Sequence, residues 1–215
     1  MKLTSLAEKA HMELRKRIIN GDIMPGELLS ENKLSKELEM SRTPIRDSLL
    51  YLENEGFITT LKNRGSLVKE ISYKELFEII ELNNCMAVYA AELAIKGAIS
   101  FDTEKLKLHL ETALRAEETD EYAVYLEHSN LFGRTMIENT HNQIMLQTFD
   151  SWSDKGFRAG MIGWKLKPND KHYSVNALNS KLYTAITTKQ FDKIKTITEE
   201  NYYYIRERFI RIGDI

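Results

Sequence analysis

The chain has 215 residues, 42% of them hydrophobic and 29% charged, with a formal net charge of −2. That length can bury a core without staples, and a single cysteine, Cys85, excludes an intrachain disulfide and fits a reducing compartment. No run of about 18 apolar residues exists, and Glu8 and Glu13 interrupt the N-terminal stretch, so neither a membrane span nor a signal peptide is expected and the protein is expected to be cytoplasmic.

Ser5-Leu6-Ala7-Glu8 has the form of a capping box, and Ala10, Leu14 and Ile18 continue a 3.6-residue stripe that Gly21 ends. Pro25-Gly26 predicts a turn. Ser30 then caps a short helix running to Leu38, with Leu34 and Leu38 buried, and Glu39-Met40-Ser41 forms the next turn. Thr43 and Pro44 suit a helix start, because a hydroxyl can accept from free amides there and proline lacks an N–H that would have no partner. Ile45, Leu49 and Leu52 form one apolar stripe of that helix, Arg42 and Arg46 share another face, and Glu55-Gly56 ends it. Phe57 to Leu61 and Ser66 to Glu70 predict two strands joined by Lys62-Asn63-Arg64-Gly65. The whole is a winged helix-turn-helix with Arg on the recognition helix and at the wing tip.

Ile71-Ser72 predicts a hinge, since Ser72 to Glu75 is another capping box, and the domain boundary is placed there: 1–71, then 72–215. Beyond it the pattern is helical. Tyr73 to Ile99 carries Leu76, Ile79 or Ile80, and a series of alanines suited to close packing. Asp102 to Glu118 has Leu106, Leu110 and Leu114 at strict fours. Asp120 to Asn139 and Asn142 to about Phe157 form a hairpin around Thr140-His141. Arg158 to Asn169, with Gly160, Gly163 and Pro168, reads as a looser connector or pocket cover. Asp170 to about Thr188 and Phe191 to Arg211 complete the chain. The expected fold is mainly α: the winged reader followed by an antiparallel bundle of about six helices. Cys85 is expected to be a buried small hydrophobe. Tyr202-Tyr203-Tyr204 point about 100° apart on a helix, which favours core or dimer packing over a ligand cage.

Charge supports nucleic-acid binding only locally. Residues 1–70 hold 12 Lys/Arg against 11 Asp/Glu, and residues 71–215 hold 18 against 21. A few placed cations contact phosphate while acidic residues elsewhere discourage random binding.

The segments Gly21 to Gly26, Leu29 to Glu31, Ser41 to Arg46, Leu52 to Gly56 and Arg64 to Val68 follow, in order, Gly-x-x-x-Pro-Gly, Leu-Ser-Glu, Ser-Arg-Thr-Pro-x-Arg, Leu-x-x-Glu-Gly and Arg-Gly-x-x-Val. The first third of the chain thereby resembles the winged-helix domain of the GntR family of bacterial transcription regulators. The resemblance implies a homodimeric regulator, expected to act as a repressor on a near-palindromic DNA operator. It implies a DNA-facing set of Ser30, Glu31, Ser41, Arg42, Thr43, Pro44, Arg46, Arg64 and Gly65. The family often carries Arg after its Ser-Glu pair, where this chain has Asn32.

The helical remainder resembles the effector-binding domain of the FadR-type subfamily, many members of which hold a divalent metal with one Asp and three His. Aligned on Phe132 and Asn142, the Asp and first His positions are Ser129 and Gly133; aligned on the last two helices, the other His positions are about Asn179 and Asn201; none of the four is a good ligand, and the Arg of the subfamily's first bundle helix corresponds to Asn83. No cofactor is therefore expected. A metal on His128 and His172 is the weaker alternative, and His11, His109 and His141 read as exposed or structurally hydrogen-bonded. Without metal, Asn83, Ser129, Asn179 and Asn201, with Arg134 for charge, line a site for a polar or anionic small molecule.

Two rivals differ in class. An enzyme in the bundle would need an acid–base or metal set, and there is no His-Glu-x-x-His, phosphate loop or Gly-x-Ser-x-Gly. A constitutive DNA-binding dimer whose bundle has no effector pocket is the other. Metabolite titration against melting temperature separates it from a ligand-modulated regulator.

Overall fold

The structure, a computed structural model, describes residues 5–62, 64–168 and 172–212, with backbone alone over 208–212. It divides into two compact units, Met1–Ile71 with Met161–Leu166, and Ser72–Gly160 with Lys167–Ile215.

In the first unit, α1 (Ser5–Ile19) lays Ala7, Ala10, Leu14 and Ile18 against α3 (Arg42–Asn54), which contributes Ile45, Leu49 and Leu52. Full burial of a leucine or isoleucine side chain stabilises by roughly 1.5–3 kcal/mol. Between them α2 (Glu31–Glu37) buries Leu34, whereas Leu38 is the half-buried residue that closes the helix. The turn to α3 passes through Glu39 at φ +52°, and the Ser35 hydroxyl donates to the Met40 carbonyl. Helix α3 starts at Arg42 with Ser41 in the N-cap position, one turn position earlier than Thr43-Pro44 suggests. Pro44 is tolerated because all the first amides of a helix lack intrahelical acceptors.

The wing has three strands rather than two. β1 (Leu28–Leu29), β2 (Ile58–Leu61) and β3 (Gly65–Val68) form an antiparallel sheet ordered β1-β3-β2, with Leu29 opposite Ser66 and Ile58 opposite Val68. A two-residue strand has no alternation to betray it in sequence. Asn63, expected to shape the wing turn, lies outside the described residues.

The second unit contains α4 (Tyr73–Ile95), α5 (Thr103–Glu118), α6 (Tyr122–Glu138), α7 (Gln143–Leu166), α8 (Ser174–Thr187) and α9 (Lys193–Ile212). α4 starts where the Ser72 hydroxyl accepts from the Glu75 amide at 3.1 Å. It ends four residues before Ile99, because Gly97 at φ +69° closes it. Asp102 caps α5 by accepting from Lys105 N–H at 3.0 Å, and Asn142 caps α7 by accepting from Ile144 and Met145, both at 3.1 Å. Such caps are worth about 1 kcal/mol each. Asp170, expected to open α8, lies outside the described residues.

The bundle core joins Ala87 and Ala91 of α4, Leu106 and Leu110 of α5, Phe132 and Met136 of α6, Leu182, Ala185 and Ile186 of α8, and Ile194 of α9. Leu114 is 37% exposed, since residues at strict fours drift about 40° per step and the inward stripe of α5 passes to Ala113 and Ala116. α7 continues through the stretch expected to be a loop. Gly160 permits it: a Cβ there would lie 2.7 Å from Leu126 Cδ1, so the glycine serves close approach to α6 rather than helix termination. The final residues of α7 belong to the first unit, where Lys165 Nζ meets Asp22 Oδ1 at 2.6 Å.

Two smaller expectations change. Cys85 is exposed, in a groove between α4 and α9 lined also by Val88, Tyr89 and Tyr202. Of the tyrosine run, Tyr202 donates to Glu81 at 2.6 Å while Tyr203 and Tyr204 stand exposed. No described helix is long and apolar enough to cross a membrane.

Candidate functional site

Ser30 and Ser41 hold extended N-cap conformations before α2 and α3, but neither hydroxyl caps its own helix, and both are exposed. Beside them Arg42, Thr43 and Arg46 are exposed on α3, as is Asn32 on α2. Pro44, grouped with the DNA-facing residues by resemblance, is buried; it supports the helix start instead of presenting a surface.

Arg46 makes a bidentate ion pair with Glu31: Nε to Oε1 and Nη2 to Oε2, both 2.9 Å. The hydrogen bonds from Arg46 hold the Glu31 carboxyl below its ordinary range, and Glu31 in turn raises the guanidinium. Arg46 nevertheless keeps 61% of its side chain exposed, so the pair orients the fork of donors without burying it.

The wing is tied to α3 by Glu53, whose carboxylate accepts from Thr60 N–H at 2.6 Å and from Thr60 Oγ1 at 2.8 Å. Those hydrogen bonds hold the Glu53 carboxyl below the usual carboxylate range. Sequence reading missed this strut, although an acid at the end of a helix preceding a hairpin is a visible hint. Gly65 sits at φ +94°, and a Cβ on it would come 2.5 Å from the Leu29 carbonyl oxygen. Its first requirement is thus the β1–β3 approach. Arg64, next to it, is exposed. The arrangement offers planar Arg donors on a helix of major-groove size and a cation on the wing, the chemistry that contacts base edges and phosphates.

Inside the bundle, Ser129 and Asn179 come together: both are buried, Asn179 Nδ2 donates to the Ser129 carbonyl at 3.4 Å, and Ser129 Oγ has no hydrogen-bond partner among the described residues. Asn83 lies in the inward stripe of α4, between Ile79 and Met86, and is half-buried like Asn201. Arg134 is engaged elsewhere, with Nε and Nη2 donating to Asp150 Oδ1 and Oδ2 at 2.8 and 3.0 Å. The pair orients the Arg134 guanidinium and leaves 32% of its side chain exposed.

Residues 6–68 match the model of the gntR family of bacterial regulatory proteins. The first domain is a GntR-family helix-turn-helix domain. The gluconate operon transcriptional repressor of Bacillus licheniformis is 26% identical over 88% of this chain and 79% of its own length. The Nta operon transcriptional regulator of Aminobacter aminovorans is 28% identical over 72% of this chain and 74% of its own. Among solved structures, Escherichia coli McbR superposes with TM-score 0.72 at 20% identity, covering 98% and 99% of the two chains, and a GntR regulator of Rhodococcus sp. RHA1 with TM-score 0.78 at 15%, covering 96% and 98%. The matched domain makes the chain a DNA-binding transcription regulator, and the likeness of its all-helical second unit to these solved structures is one of fold.

Within that GntR frame, Gly133, one of the four positions aligned with the subfamily's metal ligands, is where the Phe149 ring packs, 3.4 Å from a would-be Cβ. His128 and His172 are not the pair that the fold assembles. His172 is exposed, and His128 faces His109 of α5, Nδ1 to Nδ1 3.3 Å.

Proposed function

We propose that this regulator binds a near-palindromic operator as a homodimer, as a repressor, and that a small polar or anionic metabolite in the 72–215 domain modulates that binding. The observation that carries the DNA half is the exposed, oriented Arg46 beside Arg42 and Thr43 at the start of α3, with Arg64 on the wing. Ser30, Glu31, Ser41 and Gly65 shape that surface. Two copies reading two half-sites give the specificity that one short helix lacks. The exposed Tyr203 and Tyr204, on a helix of the bundle, favour assembly through this domain.

The effector half rests on the unpartnered, buried Ser129 hydroxyl beside Asn179, with Asn83 half-buried on α4 and Asn201 half-buried on α9. These are neutral donors and acceptors suited to hydroxyls and carboxylates. Gluconate, for whose operon the B. licheniformis relative is named, is the first molecule to test. The mechanism is linkage: a metabolite that favours the wrong half-site spacing weakens DNA binding, and DNA weakens the metabolite by the same factor.

The engagement of Arg134 by Asp150 favours the second reading, a constitutive dimer with no effector. Operator selection from random DNA, followed by anisotropy titration with and without gluconate and a panel of sugar acids, tests both. Twice the chain mass by light scattering, tight operator binding and a ligand-dependent change support the proposal. Tight binding insensitive to every ligand supports the constitutive reading, and a monomer sinks the dimer.

A further inference from the structure

Away from the DNA-reading surface and from the Ser129–Asn179 interior, α4 and α9 leave between them a groove of about 520 Å³, within the roughly 300–1,000 Å³ of small-molecule sites. Helical spacing builds both walls. Glu81, Cys85, Tyr89 and Glu92 recur every three to four residues on one face of α4, and Lys195, Glu199 and Tyr202, with Tyr203 beside them, do the same on α9. The Asn84 side chain, donating to the Thr198 carbonyl at 3.3 Å, ties the two helices together.

The aromatic lining selects a charge. The rings of Tyr202 and Tyr203 lie 5.7 Å apart with planes inclined by 76°, so they form a corner, and Phe77 meets Tyr202 at 5.9 Å in a second near-perpendicular contact. Tyr89, 44% exposed, stands on the opposite wall. The face of such a ring carries negative potential and attracts a cation within about 6 Å of its centroid. The carboxylates select the same sign. Among the described residues the groove sets Glu81, Glu92 and Glu199 against Lys195, whose Nζ already lies 4.0 Å from Glu199 Oε1. The Tyr202 hydroxyl donates to Glu81 at 2.6 Å, and this neutral donor places the carboxylate at the tyrosine corner without cancelling its charge. An anion, or a second copy presenting the same acidic surface, would meet repulsion there.

We propose that the α4–α9 groove binds a small organic cation, an ammonium group on an apolar body, with the ammonium at Tyr202, Tyr203 and Glu81 and the body along Val88 and Tyr89. The site is separate from the Ser129–Asn179 interior in place and in the charge that it selects. Tyr204, the third of the tyrosine run, does not line it.

Cys85 reports occupancy, because it is the one cysteine of the chain and is exposed in the groove. The test follows alkylation of Cys85 by iodoacetamide in the full chain, at constant ionic strength, with benzyltrimethylammonium, the neutral N-benzylacetamide or the anionic phenylacetate present. The expected result is at least fivefold slowing by benzyltrimethylammonium at saturation and none by the other two. Tyr203→Leu, at an exposed position, keeps an apolar wall but removes the π face, and should raise the half-protecting concentration about tenfold. Glu81→Gln should raise it as well. Equal protection by all three compounds overturns the proposal in favour of a merely apolar groove, and failure of the ammonium to protect a reactive Cys85 overturns it outright. A Cys85 that does not react in the assembled chain overturns it in favour of a second copy covering the groove. Unchanged protection in Tyr203→Leu removes the aromatic corner and the proposal with it.

Discussion

Arg46 on α3 and Glu31 on α2, fifteen residues apart, are locked by two hydrogen bonds of 2.9 Å. The pair joins the two helices of the helix-turn-helix and fixes the plane of the guanidinium before DNA arrives. A planar donor fork held in one orientation loses less freedom on binding than a free one.

Arg46→Ala should leave the melting temperature and assembly state unchanged and weaken operator binding on the order of 10- to 100-fold, the range of a lost bidentate base contact. Arg46→Lys should not restore it, because an ammonium cannot reproduce the fork. Fluorescence anisotropy on operator DNA decides, and unchanged affinity would mean that the reading surface lies elsewhere.

Glu31→Gln removes the carboxylate that holds the guanidinium. The ratio of operator to random-sequence affinity should fall, with most of the change arising from tighter binding to random DNA, since one negative charge leaves the interface. A ratio that rises would show that Glu31 does not orient Arg46.

Gly65→Ala would drive a Cβ to within 2.5 Å of the Leu29 carbonyl at a positive φ. Backbone cannot yield there as a side-chain tip would. The expected cost is about 1–3 kcal/mol in urea unfolding, with weakened operator binding as the wing detaches. Gly26→Ala, at φ +84° with open space around its Cβ, carries only the backbone penalty and should cost less.

Acid should loosen the wing. Glu53 in the folded chain titrates below its ordinary value of 4.5, so its hydrogen bonds to Thr60 contribute stability that is present above that value and lost as pH falls through the lowered one. Its carboxylate is only half-buried and screened by solvent, so it contributes modestly. Urea unfolding between pH 6 and pH 3 should show the unsubstituted chain losing more stability than Glu53→Gln, and parallel curves would remove Glu53 from the account.

Gly160→Val should destabilise the bundle, because the new side chain would occupy the space held by Leu126. Leu126→Ala combined with Gly160→Val should recover part of the loss. The coupling energy of that double-mutant cycle measures the contact, and additivity would show that the helices had moved apart.

What the sequence determined was whatever a few consecutive residues decide among themselves. The helix starts at Ser72 and Asp102, the apolar stripes of α1 and α3, the wing turn and the helical character of the rest are local: each rests on a cap, a glycine or a 3.6-residue period. The residues proposed to face DNA were picked out by short motifs between Ser30 and Gly65. Tertiary structure decided what depends on residues far apart in the chain. Gly160 reads locally as a breaker, yet the presence of Leu126 across the interface turns it into a packing site and lets α7 run on to Leu166. Arg134 reads as a free charge until Asp150 is placed against it. His109 and His128, nineteen residues apart, carry no mutual signal at all; only the pairing of α5 with α6 brings their Nδ1 atoms to 3.3 Å.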